Sequence, residues 1–165
     1  MSINFTEARC QDHTNKKLFG LRDDVPAERA KMDENDGSKW IAVVVNEDRF
    51  DVIFTGIDKC IETKRKDGKM DKRCDGVLLY NSTIIFVELK ERGAFGNEWV
   101  KDGERQLRTT INYFKDTQDS NYNKKKAYIA NSEHPKFKES QIRRMNQFLE
   151  DTGYVLRIEN RIILE

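Results

Sequence analysis

The chain is poor in the residues that usually announce a metal or disulfide framework. Its 165 residues include three cysteines, two histidines and two prolines. Cys10, Cys60 and Cys74 form no CxxC pair, and an odd count argues against a disulfide framework and a structural zinc site. His13 and His134 are too few for an imidazole-based metal site and stand among polar neighbours, which reads as surface. The longest apolar runs, Ile41 to Val45 and Ile84 to Val87, fall far short of the ~20 residues that span a bilayer. The opening residues, Met1 to Cys10, lack the basic and apolar regions of a secretory signal. These absences lead to the expectation of a cytoplasmic protein with reduced thiols, without membrane or zinc. Net charge is nearly absent too: 30 basic and 29 acidic residues leave +1. That balance excludes a histone-like tail or an acidic disordered segment as a description of the whole chain.

What is present is dense charge of both signs. Charged residues make up 36% of the chain, above the usual ~25%, and hydrophobic residues only 37%. Nine Phe, five Tyr and two Trp nevertheless argue for a packed core. The length suits one domain over residues 1–165. Residues 1–60 carry 9 basic and 12 acidic side chains, whereas residues 61–165 carry 21 and 17. The basic excess is densest from Lys64 to Arg73, around an Asp67-Gly68 turn signal.

Residues 1–39 read as an N-terminal helical extension, with weak periodicity from Phe5 to Phe19 and from Pro26 to Met32. Ile41 to Val45 is a predicted strand, and Phe50 to Ile61 another strand or two. Gly76 to Tyr80 and Thr83 to Lys90 carry the strongest strand signals. Helices are predicted over Gly103 to Lys115 and Pro135 to Asp151, the second with Ile142, Met145, Phe148 and Leu149 on one stripe and Gly153 as its stop. Lys126 to Ala130 reads as a strand, and Tyr154 to Ile158 with Arg161 to Leu164 as a terminal hairpin. The order predicts an α/β fold, a central mixed β-sheet flanked by helices.

Only Asn81 and Ser82 separate the two strongest strands. A two-residue turn there opposes Tyr80 to Thr83, Val77 to Phe86 and Asp75 to Glu88. Opposed residues share a face, so the two carboxylates stand roughly 5 Å apart at Cβ, and Lys90, two residues on, joins them. Both faces of the hairpin are otherwise apolar, which places it centrally. Like charges beside Val77 and Phe86 are unfavourable and call for compensation. A hard divalent cation would provide it, with the Leu89 carbonyl as a third oxygen ligand. The plainer reading is a solvated ion-pair cluster at a strand end.

Asp75 followed by Glu88-Leu89-Lys90 at the end of an apolar strand resembles the PD-(D/E)xK nuclease superfamily, the restriction-endonuclease-like fold. Arg73-Cys74 stands where the family's name has proline before the aspartate. The resemblance covers about residues 50–130. It implies a restriction-endonuclease-like α/β domain and a metal-dependent nuclease acting on phosphodiester bonds in DNA, or RNA. It also implies Mg²⁺ (or Mn²⁺) on Asp75, Glu88 and the Leu89 carbonyl, Lys90 assisting the attacking water, and Gln106 on the following helix orienting water or phosphate. The family frequently adds a glutamate from an upstream helix, for which Glu28, Glu34 and Glu62 are candidates.

The basic run Lys64, Arg65, Lys66, Lys69, Lys72 and Arg73 is a candidate nucleic-acid contact, or a solvated hairpin. Lys124 to Lys126 and Arg143-Arg144 are further candidates of the same kind. Trp40 and Trp99 could stack on bases or pack in the core. Cys60 and Cys74 read as small buried hydrophobes. Two other functions stay open: a nuclease-fold module without catalysis that binds nucleic acid or a protein, and an inhibitor- or immunity-type interaction protein, either as a homodimer or with another partner.

Overall fold

The computed structural model describes residues 5–61, 67–69, 72–91, 96–115, 121–133 and 139–165. They form ten strands and two α-helices. The strands are β1 (Gln11–Thr14), β2 (Leu18–Arg22), β3 (Lys31–Asp33), β4 (Ala42–Val45), β5 (Val52–Gly56), β6 (Gly76–Tyr80), β7 (Thr83–Lys90), β8 (Lys124–Asn131), β9 (Val155–Arg157) and β10 (Arg161–Ile163). The helices are α1 (Glu98–Lys115), between β7 and β8, and α2 (Ile142–Thr152), between β8 and β9.

The strands build two mixed sheets. Six strands run in the order β1-β5-β6-β7-β8-β9, antiparallel up to β7 and parallel from β7 to β9. Each parallel step is made across a helix, as a parallel pair requires. Four strands form the second sheet, β10-β4-β2-β3, with β10 parallel to β4.

The large sheet is covered on both faces, by different layers. On one face Val77, Ile84 and Phe86 pack with Leu107, Ile111 and Phe114 of α1 and Phe148 of α2. Leu78, Ile85 and Val87 on the other face pack with Phe19 and Leu21 of β2, Ala42 and Val44 of β4, and Ile162 of β10. Seven of the eight residues of β7 are therefore buried, and no polar/apolar alternation is left in its sequence. The covering layer on the second face is a sheet, which corrects the expectation of one sheet with helices on its faces.

Among the described residues of the stretch read as a helical extension, 5–39, lie β1, β2, β3 and two 3-10 turns, and no α-helix. Leu18-Phe19-Gly20-Leu21 pairs with the β-branched run of β4, and Gly20 lies beneath the Trp40 ring, where a Cβ would fall 2.0 Å from Cγ. A glycine costs a helix about 1 kcal/mol relative to alanine, and long-range pairing decides the outcome. The terminal hairpin is corrected as well. β9 joins β8 and β10 joins β4, so the two consecutive strands lie in different sheets. α1 begins at Glu98, five residues before the predicted Gly103. α2 begins at Ile142 after one 3-10 turn, and Ile142 and Leu149 of the predicted stripe are exposed while Phe148 is buried. Gly153 ends α2 in the left-handed conformation, at φ 79°.

Cys10 and Cys60 are joined in a disulfide between the start of β1 and the turn after β5. This overturns the expectation of reduced thiols for that pair. Cys74 remains a free, fully buried thiol. No helix among the described residues is long and apolar enough to cross a membrane.

Candidate active site

The site is assembled at one end of the β6–β7 hairpin. Asn81 and Ser82 both take positive φ, 41° and 59°, as a two-residue hairpin turn demands. That turn sets the register, which runs from Tyr80 opposite Thr83 to Gly76 opposite Val87. The next pair is Asp75 with Glu88, where the spacing places it.

Both carboxylates are buried, at 8% and 2% exposure. They are interlocked: the Asp75 N–H donates to Glu88 Oε1 at 3.1 Å, and the Leu89 N–H donates to Asp75 Oδ2 at 2.7 Å. Lys90 Nζ lies 2.9 Å from Glu88 Oε2 and donates to Gln106 Oε1 of α1, also at 2.9 Å. Gln106 in turn donates to the Arg73 carbonyl, at 3.4 Å. Its observed contact is with the lysine, not the carboxylates, so Gln106 acts by holding Lys90.

Burial pushes both carboxyls up from their ordinary range. Asp75 is raised the further, by burial and then by the charge of Glu88. Burial raises Glu88 too, while the Lys90 ammonium pulls it back. Burial and then the Glu88 charge raise the thiol of the neighbouring Cys74 well above the usual range. Its N–H is anchored on Thr110 Oγ1 of α1 at 2.8 Å.

A third carboxylate stands near the pair. The carboxyl of Asp23, directly after β2, is raised by burial and lowered by its interaction with the Lys59 charge and the Asp75 side chain. The glutamates considered for this place lie elsewhere: Glu28 pairs with Lys31, Glu34 accepts from Thr14, and Glu62 lies outside the described residues. The signal for Asp23 is an acidic residue at the end of an apolar strand, as Glu88 is an acidic residue near the end of β7. It is hidden while Leu18 to Arg22 is read as helix.

The basic run divides. Lys64, Arg65 and Lys66 lie outside the described residues. Lys69 and Lys72 are exposed. The Arg73 guanidinium is engaged by Asp58 at 3.0 Å and by the Ile61 carbonyl at 2.9 Å, so it fastens the turn after β5. Lys124 to Lys126 pair with Thr83 to Ile85, at the opposite end of β7 from Glu88. Three to five residues of strand, at ~3.3 Å each, separate them from Glu88. Arg144 is bound by Glu104 and Gln141. Trp99 packs against the helix-side core, whereas Trp40 is half-buried at the surface.

The donor set suits a hard cation. A strand residue's N–H and C=O point to the same side, so the Leu89 carbonyl lies on the side from which its N–H meets Asp75. Two carboxylates, one carbonyl and solvent are the oxygen ligands Mg²⁺ takes. Among the described residues, no three Asp, Glu, His or Cys side chains are already gathered to hold a metal by themselves. Solvent and the carbonyl would thus complete the coordination. No protein-family model, curated protein or solved structure matches the chain.

Proposed function

We propose that this chain is a metal-dependent nuclease with a restriction-endonuclease-like core, hydrolysing phosphodiester bonds in DNA, with RNA as the other candidate substrate. The observation that carries the reading is the buried Asp75–Glu88 pair with Lys90 bonded to Glu88 at the open end of a central hairpin. A buried like-charged pair is costly for stability alone and is the arrangement a cation-binding site needs. Asp75, Glu88 and the Leu89 carbonyl would hold Mg²⁺ or Mn²⁺, which would supply Lewis-acid activation of water and neutralise phosphate charge.

The protein's own groups do the rest. Lys90 spends two of its three N–H donors on Glu88 and Gln106. The third is available to a phosphate oxygen or the attacking water, in an orientation the first two set. Burial and the Glu88 charge raise the Asp75 carboxyl, and a bound cation would favour its charged form. Asp23 adds negative charge to the same locus. Exposed Lys69 and Lys72 on the segment leading to Asp75 supply cationic charge for a nucleic-acid backbone.

The test is cleavage of plasmid and single-stranded DNA in Mg²⁺ or Mn²⁺, alongside Asp75→Ala and Glu88→Ala. Loss of cleavage in both variants supports the reading, and cleavage that survives both overturns the mechanism. A second reading, a binding module without catalysis, is favoured by the closure of the hydrogen bonds among Asp75, Glu88, Leu89 and Lys90 upon themselves. It is the one left if no cleavage occurs and calorimetry detects no Mn²⁺ binding.

A further inference from the structure

A cavity of about 420 Å³ is lined by Asp24, Ser38, Lys39, Trp40, Ile41, Glu91 and Ser132. Two of its walls continue the segments that carry the site. Asp24 follows Asp23, and Glu91 follows Lys90. The cavity is thus joined to the site through the chain at Asp23 and Lys90, and its own lining holds neither carboxylate of the pair.

Trp40 is held rigidly at its edge. The indole N–H donates to Asp33 Oδ2 at 2.8 Å, and the ring lies against Gly20, where no side chain could fit between them. A half-buried indole backed by main chain and lining a cavity is a stacking platform, since every nucleobase offers a π-face. The volume falls within the roughly 300–1,000 Å³ of ligand pockets. The carboxylates around it do not exclude a nucleotide. Arg22 binds Asp24 through two contacts of 2.6 Å, and Lys39 adds positive charge. Glu91 and the hydroxyls of Ser38 and Ser132 can meet the polar edge of a base.

We infer that this cavity takes an unpaired nucleobase stacked on Trp40, in a strand whose phosphate reaches the carboxylate site. The inference rests on the nuclease reading for the identity of that phosphate. It makes single-stranded or locally opened nucleic acid the substrate class, because a base within a duplex is stacked on both faces.

The experiment uses Trp99→Phe, which leaves Trp40 as the only indole. Its fluorescence is titrated with a single-stranded oligodeoxynucleotide, the matching blunt duplex, and the single strand carrying one abasic site at successive positions, without divalent metal. The expected result is quenching by the single strand, weak quenching by the duplex, and about tenfold weaker binding when the abasic site falls at one position, the size of one lost base stack. Trp40→Phe should retain most of the affinity and Trp40→Ala should lose it. Metal-dependent cleavage with no quenching and no effect of Trp40→Ala would overturn the base site and leave the nuclease reading standing. Quenching without cleavage would support the base site and favour the non-catalytic module. Absence of both would remove both.

Discussion

Reduction of the Cys10–Cys60 bond isolates one stabilising element of known size. The two residues stand 50 apart in sequence, and closing a loop of that length removes about 4 kcal/mol of chain entropy from the unfolded state. For 165 residues that corresponds to about 10 °C in Tm. The native state gives little of this back on reduction. Cys10 is fully buried in the helix-side core, and Arg9 donates to the Cys60 carbonyl at 3.0 Å whatever the state of the sulfur. The folded protein should keep its far-ultraviolet circular dichroism while its urea midpoint falls. The assay is urea unfolding with and without a thiol reductant, next to Cys60→Ser, with thiols titrated in urea. One titratable thiol, Cys74, is expected before reduction and three after. Three thiols in the unreduced, denatured protein would refute the bond. A stability difference below about 1 kcal/mol would refute the loop-closure reasoning.

The remaining expectations concern the site and its supports. Asp75 and Glu88 have raised pKa values in the folded state, so their contribution is complete below the ordinary values of 3.8 and 4.5 and is lost as pH rises through the raised ones. Metal-free protein should thus lose stability with rising pH above that range, and Asp75→Asn should flatten the slope in urea titrations at several pH values. Gln106→Leu frees the Lys90 ammonium from one of its two partners and should lower the cleavage rate about tenfold, since a hydrogen bond to a charged group is worth about 1.5–3 kcal/mol. An unchanged rate and pH profile would remove its positioning role. Gly20→Ala places a Cβ inside the Trp40 ring and should cost about 1–3 kcal/mol in thermal unfolding, with Trp40 emission shifted to the red.

The central hairpin and the register of its polar end were determined locally, and the sequence alone contains them. Asn81 and Ser82 leave room for one turn, the turn leaves one register, and the register brings Asp75 to Glu88 and Lys90 to their side. α1 and the Gly153 stop follow from apolar spacing and a left-handed residue in the same way. Position across the fold is another matter. Asp23 stands near Asp75 because β2 pairs with β4 and the second sheet packs on the first; neither follows from the residues around Asp23. The same holds for Cys10 with Cys60, for β9 and β10 parting into different sheets, and for Arg73, whose charge is used on Asp58 and Ile61. Local pattern reports which face of an element is apolar. Which layer covers that face is decided by total burial and by strand pairing over long separations, and only the folded chain resolves that competition.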